Sequence, residues 1–193
     1  MAIKAIIFDC FGVFVLSGRE SVVKDFPGIK QELHDLTVRS DYGFISREDF
    51  NKELSELTHI PADEVEARYW AKSTRNESVF QWANELKKAG EYKIGLLSNI
   101  GINWLNDFFP EEERNNLFDD VVLSNEVGYI KPDRKIFEIA AERLGVDTTE
   151  CVMIDDLLEN IEAAASVGMQ GIVYGSTSEA KVELERLLEP GRA

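Results

Sequence analysis

Cysteine is scarce: Cys10 and Cys151 are the only two in 193 residues, far apart and without CxxC spacing. That excludes a disulfide framework and points to a reducing compartment. Histidine is equally rare, and neither His34 nor His59 has a cysteine or acidic partner at metal-ligand spacing, so both are expected on the surface or between helices. No apolar run approaches membrane-spanning length, and Ala5 to Phe8 is too short for a signal h-region before it meets Asp9. A cytoplasmic location is the default expectation. There are only five prolines, while 44% of residues are hydrophobic and 30% charged, a balance that excludes a fibrous or disordered chain. Positive charge is short as well, with 21 Lys and Arg against 36 Asp and Glu, a formal charge of -15. Such a surface repels nucleic acid and anionic lipid, because binding either relies on basic residues releasing condensed counterions. Neither nucleic acid nor membrane is therefore expected as a partner. An acidic protein binds phosphate only where a cation and fixed donors reverse the field inside one pocket.

What is present is a regular alternation. Ala5-Ile6-Ile7-Phe8 is continuously apolar, as a strand covered on both faces of a parallel sheet must be. Tyr92 to Leu97, Asp120 to Leu123, Cys151 to Ile154 and Gly171 to Tyr174 read the same way. Helical spacing fills Val79 to Ala89, Asp133 to Leu144, Leu157 to Val167 and Glu179 to Leu188, and a shorter helix is expected from Ile102 to Phe109, ended by Pro110. The pattern predicts an α/β fold, a Rossmann-like doubly wound parallel sheet with its site at the carboxyl ends of the strands. Residues 18–73 break the rhythm with helical stretches at Ser46 to Leu57 and Ala62 to Lys72 and no convincing strand. They are expected to form a small helical insertion, leaving residues 1–17 and 74–193 as the core.

Four segments at predicted strand ends carry groups suited to phosphoryl transfer. Ile7-Phe8-Asp9-Cys10-Phe11-Gly12-Val13 puts a carboxylate at the rim of the sheet with a turn behind it. Leu96-Leu97-Ser98-Asn99 offers a hydroxyl and an amide. Ser124 to Asp133 places Lys131 just before a helix, and Met153-Ile154-Asp155-Asp156-Leu157-Leu158-Glu159-Asn160 presents paired carboxylates running into another. Carboxylates and carbonyls bind Mg²⁺, which holds an anionic nucleophile and an anionic substrate together. Lysine adds a compact positive charge, a hydroxyl with main-chain N–H groups holds the remaining oxygens, and Asp is an established phosphoryl-transfer nucleophile. Singly, each has a plainer reading: Asp9 as a turn residue, Asp155 and Asp156 as a capping pair, Lys131 as a surface lysine. Asn160 either orients Asp156 or bonds locally. Trp70, Trp82 and Trp104 lack the spacing of a stacking platform and are read as core, with Tyr69 and Trp70 candidates for the substrate entrance; Glu111 to Glu113 reads as a solvated cluster.

In order, the four segments resemble the four motifs of the haloacid dehalogenase-like superfamily, and the resemblance covers nearly all of the core, with the insertion where that family's helical caps lie. Gly128 to Asp133 and Asp155 to Asn160 are most similar to capped members, among them sugar-phosphate phosphatases of the glucose-1-phosphatase type and the phosphatase domain of soluble epoxide hydrolases. The resemblance implies Asp9 as nucleophile, Ser98 with Asn99 on the phosphoryl group, and Lys131 as charge balance. It implies Mg²⁺ as cofactor, held by Asp9, the Phe11 carbonyl, Asp156 and Asp155, and a phosphorylated small molecule as substrate. One position departs from it. Phosphatases of this family usually carry a second Asp two residues after the nucleophile, where this chain has Phe11; the carbonyl ligand survives but the general acid does not. Two alternatives follow, a phosphate- and metal-binding protein with weak turnover, and a dehalogenase-type attack of Asp9 on carbon. Substrate identity and oligomeric state are not legible.

Overall fold

The computed structural model describes residues 2–16, 24–71 and 73–188. The expected start of the insertion, Gly18 to Val23, and Lys72 at an expected helix end lie outside these. Strand β1 (Ala5–Asp9) is buried along its whole length because it is the middle strand of a five-stranded sheet. The order is β5 (Asp120–Leu123), β4 (Lys93–Ser98), β1, β6 (Cys151–Asp155), β7 (Gln170–Val173), and every pairing is parallel. Side chains alternate across β1, so Ile6 and Phe8 join one hydrophobic cluster while Ala5 and Ile7 join another on the opposite face. Helices Glu77–Ala89 and Thr177–Leu188 cover the first face; Arg134–Leu144 and Leu158–Ser166 cover the second. This is the expected doubly wound fold, and the strand order reverses at β1, whose carboxyl end is therefore the natural crevice.

Parallel register decides which residues meet at that crevice. Asp9 pairs with Leu97, one residue before Ser98, and Phe8 pairs with Ile154, one residue before Asp155. Ser98 and Asp155, 89 and 146 residues downstream of Asp9, are thus delivered to one rim.

Helices Lys30–Asp41, Arg47–Thr58 and Ala62–Trp70 lie between β1 and the next core strand. Ser46 starts the second, its Oγ accepting from Asp49 N at 3.0 Å, and Pro61 with Asp63 and Glu64 in the first turn starts the third. An antiparallel ribbon that sequence reading did not anticipate closes their base, β2 (Val15–Leu16) with β3 (Thr74–Arg75). Their apolar faces belong to the same cluster as Phe8 and Val13: Phe50 and Trp104 pack edge to face at 4.7 Å. Ser124 Oγ adds a polar tie, donating to Asp41 O at 2.5 Å and accepting from Ile100 N at 3.0 Å.

The helix expected from Ile102 to Phe109 is not there. That segment holds only a 3-10 turn at Leu105–Asp107, and Asn103 sits at φ 66, a left-handed conformation that no α-helix contains. Its apolar spacing has another cause: Trp104, Leu105 and Phe109 are buried in the shared aromatic cluster, so a loop mimics helical periodicity. Glu111 to Glu113 are not merely solvated either. They open helix Glu111–Leu117, and Glu113 pairs with Arg75 at 2.7 Å. Among the described residues, no helix is long and apolar enough to cross a membrane, and the two cysteines are buried and not joined by a disulfide.

Candidate active site

A single ammonium stands at the middle of the rim. Lys131 Nζ lies 2.6 Å from Asp9 Oδ1 and 2.7 Å from Asp155 Oδ2, and all three side chains are almost fully buried. A buried lysine survives only when paired, and here two carboxylates hold it. Burial works to lower its pKa, but Asp9 and Asp155 raise it on balance, so it stays charged. Lys131 reaches this place through its main chain: Asn99 Nδ2 donates to Lys131 O at 2.9 Å, and Lys131 N donates to Asn99 Oδ1 at 2.7 Å. The Lys131–Pro132 peptide is cis, and Asp133 caps the helix that follows, accepting from Lys135 N at 2.8 Å.

Asp155 has its oxygens committed. Oδ1 accepts from Leu157 N and Asn160 Nδ2, each at 2.9 Å, and Oδ2 accepts from Lys131 and, at 3.0 Å, from Asn160. Asn160, buried in the first turn of its helix, therefore orients Asp155 and not Asp156. Asp156 is the more exposed of the pair, and one oxygen each from Asp9, Asp155 and Asp156 fall within 4.8 Å of one another. Three carboxylates beside one lysine leave excess negative charge in a buried place. Burial pushes the Asp9 carboxyl up to about 7, against the pull of Lys131 and with Asp155 and Asp156 adding to the rise. The Asp156 carboxyl is raised by partial burial and by Asp155.

Gly12 makes this crowding possible. At φ +88 it takes a conformation that L side chains avoid, and a Cβ there would lie 2.3 Å from Asp156 Cγ. Its φ and its contact with Asp156 were not legible in the sequence, though a Gly three residues past a strand-end Asp was the available signal.

Ser98 ends β4 fully buried, its Oγ 3.5 Å from Asn99 O. The Asn99 side chain is engaged with the Lys131 main chain through both Nδ2 and Oδ1. Phe11 is partly exposed and turns its ring away from a proton-donor role, stacking on Trp70 at 5.5 Å and 23° and meeting Phe108 edge-on at 5.5 Å. Tyr69, expected at the entrance, is 1% exposed and belongs to the core, whereas Trp70 is partly open. His34 and His59 are exposed, His59 at φ 57 where its helix ends.

A family model described as haloacid dehalogenase-like hydrolase matches residues 3–168, and the chain belongs to that family. Among its relatives is phosphatase MT3486 of Mycobacterium tuberculosis, 27% identical over 201 residues that cover 94% of this chain and 91% of that protein. Acyl-CoA dehydrogenase family member 10 of mouse is 29% identical over 211 residues, 96% of this chain but 19% of that protein. Rat bifunctional epoxide hydrolase 2 is 30% identical over 131 residues, 64% of this chain and 23% of that protein. The chain thus spans about a fifth of these two larger relatives. The same fold is seen in the HAD family enzyme bt-2542 of Bacteroides thetaiotaomicron, solved with magnesium and inorganic phosphate, at TM-score 0.75 and 22% identity over 89% of this chain and 93% of that one.

Proposed function

We propose that this chain hydrolyses a phosphate monoester in a Mg²⁺-dependent reaction through an aspartyl-phosphate on Asp9. The carrying observation is the Lys131 ammonium between Asp9 and Asp155, with Asp156 completing a cluster of three carboxylates. The donors suit a hard cation, being oxygens packed closely enough to repel one another, with room made by the absent Cβ of Gly12. Asp156, Asp9 and the main-chain carbonyl of Phe11 would hold Mg²⁺, and Asp155 would act one step back, fixing the lysine. When bound, the ion neutralises charge on the nucleophile and the phosphoryl oxygens.

Lys131 keeps Asp9 aimed and favours its ionised form. A carboxylate oxygen of Asp9 attacks phosphorus, the bond to the leaving oxygen breaks, and that oxygen takes a proton. Water then attacks the same phosphorus, releasing inorganic phosphate and returning the Asp9 carboxylate. The Ser98 hydroxyl and the Asn99 main-chain N–H are suited to the phosphoryl oxygens. Phe11 supplies no proton, so the leaving group's proton comes from water, the substrate or a residue of the inserted helices, which we read as a substrate cap. The phosphatases among the relatives support the reaction class. Attack on carbon with loss of halide is disfavoured because it gives the third carboxylate no task.

The test is phosphate release from a panel of phosphorylated metabolites with and without Mg²⁺, with mass spectrometry of acid-quenched protein. Phosphate on the peptide containing Asp9, absent in Asp9→Asn, is the expected result. Label elsewhere, or turnover persisting in Asp9→Asn, overturns the mechanism. Phosphate and Mg²⁺ binding without turnover on any ester would favour a binding protein, the reading that Phe11 itself motivates.

A further inference from the structure

Between the inserted helices and the loop after β4 lies an open cavity of about 560 Å³, whose walls include Asn51, Asp63, Glu66, Trp70, Asp107 and Phe108. Its large apolar side chains are aromatic, Trp70 and Phe108 packed edge to face at 5.1 Å. Phe11 joins it to the rim of the sheet: two residues after Asp9, its ring lies against both of those aromatic residues. The aromatic wall of the cavity is therefore in contact with the segment that carries the nucleophile.

Its charged lining residues have one sign. Asp63, Glu66 and Asp107 are all acidic, and no described residue lining the cavity is basic. Arg47 beside it is committed, its guanidinium bonded to both Glu66 and Asp107. That hydrogen bonding holds the Glu66 carboxyl below its ordinary range, so it remains charged at neutral pH. Flat aromatic faces beside carboxylate acceptors suit a group with an apolar face and hydroxyl or amine donors. They repel an anion, and the chain's charge of -15 adds to the effect.

We infer that this cavity receives the leaving group, and that it selects monophosphates whose other part is neutral or cationic against those carrying a second anionic group. Pyrophosphate, nucleoside diphosphates and phosphorylated carboxylic acids fall in the rejected class. The inference rests on the phosphatase reading and adds its substrate class. Asp63, on the first turn of its helix and exposed, is the specificity residue most open to change.

The test compares phenyl phosphate, 4-carboxyphenyl phosphate and 4-(aminomethyl)phenyl phosphate on the full chain with Mg²⁺. These leaving groups have similar basicity and differ in charge. The carboxylate should have a kcat/KM on the order of tenfold lower than the phenyl ester, mainly through KM, and the gap should narrow at high salt. Asp63→Lys should raise the ratio of carboxylate to phenyl ester by about the same factor. Trp70→Ala should raise KM for all three. Equal kcat/KM across the series, or a ratio that Asp63→Lys leaves untouched, overturns the inference while the phosphatase reading stands. No phosphate from any ester overturns both.

Discussion

Gly12 and Asp156 compete for one space. Any Cβ at residue 12 would sit 2.3 Å from Asp156 Cγ and Oδ2, and the φ of +88 disfavours a side chain regardless of room. Asp156 must therefore move in Gly12→Ala, although the residue is small and the turn is near the surface. The expected outcome is a folded protein with Mg²⁺-dependent turnover reduced at least about a hundredfold, since a misplacement of about 1 Å at the chemistry costs that much. Circular dichroism checks the fold and phosphate release the activity. Wild-type rates in Gly12→Ala would mean that Asp156 has no part in the site.

The two adjacent aspartates should behave as opposites. Asp155→Asn brings an amide NH₂ among Lys131, Asn160 and Leu157 N–H, all of them donors, and leaves a buried ammonium half paired. Breaking a buried pair costs about 3 kcal/mol or more, which for a chain of this size lowers Tm by roughly 6–12 °C. Asp156→Asn removes one of several crowded carboxylates and should leave the Tm of EDTA-treated protein unchanged or higher, while abolishing the Mg²⁺ response. Thermal melts with and without Mg²⁺ read both. A stable Asp155→Asn or a strongly destabilised Asp156→Asn would reverse the roles given to them.

How much of this was legible follows from the range of each interaction. Buried parallel strands announce themselves because both faces need apolar side chains, so Ala5 to Phe8 and Cys151 to Ile154 could be read locally, and the residues at their ends came with them. Spatial partners could not. Asn160 lies four residues after Asp156, the helical spacing, yet it bonds Asp155, because Asp155 is in the strand and only the rotation at the turn decides which carboxylate faces the helix. Asn99 is expected from sequence to hold the phosphoryl group, but its side chain spans 32 residues of sequence to hold the Lys131 main chain. Ile102 to Phe109 misled for a different reason: the burial of Trp104, Leu105 and Phe109 comes from helices elsewhere in the chain, and Asn103 at positive φ leaves little trace in the sequence.

Burial of Asp9 sets a pH dependence that metal should erase. Its carboxyl ordinarily titrates near 3.8 and is pushed up to about 7 in the metal-free fold. The folded state therefore holds a proton that the unfolded state has lost, so the contribution to stability is fully present below about 3.8 and is lost as pH rises through 7. In EDTA, wild-type Tm should fall between pH 5 and 7.5 relative to Asp9→Asn, by a free-energy slope of at most about 1.4 kcal/mol per pH unit. Surface acids act equally in both proteins and cancel in the comparison. Saturating Mg²⁺, which replaces the proton, should flatten or reverse the difference. Parallel Tm profiles in EDTA would show that Asp9 is ionised throughout and that Lys131 alone compensates it.

Phe11 determines how the reaction should depend on its leaving group. General acid catalysis is typically worth about 10²- to 10⁴-fold, and an alkoxide needs the proton far more than a nitrophenolate does. With a phenyl ring where a carboxylic acid would stand, packed on Trp70 and Phe108, the wild type should favour activated aryl and acyl phosphates steeply over simple alkyl phosphates. Phe11→Asp should speed the alkyl esters most and so flatten a plot of log kcat/KM against leaving-group pKa. The substitution also removes two aromatic contacts, each worth roughly 0.5–1.5 kcal/mol beyond area burial, so a Tm lower by a few degrees accompanies it. Phe11→Leu carries the packing loss without the acid and separates the two effects: it should lower Tm without changing the slope. A wild-type enzyme that cleaves alkyl and aryl phosphates at similar single-turnover rates would defeat the argument, because a proton donor other than residue 11 would then already be in place.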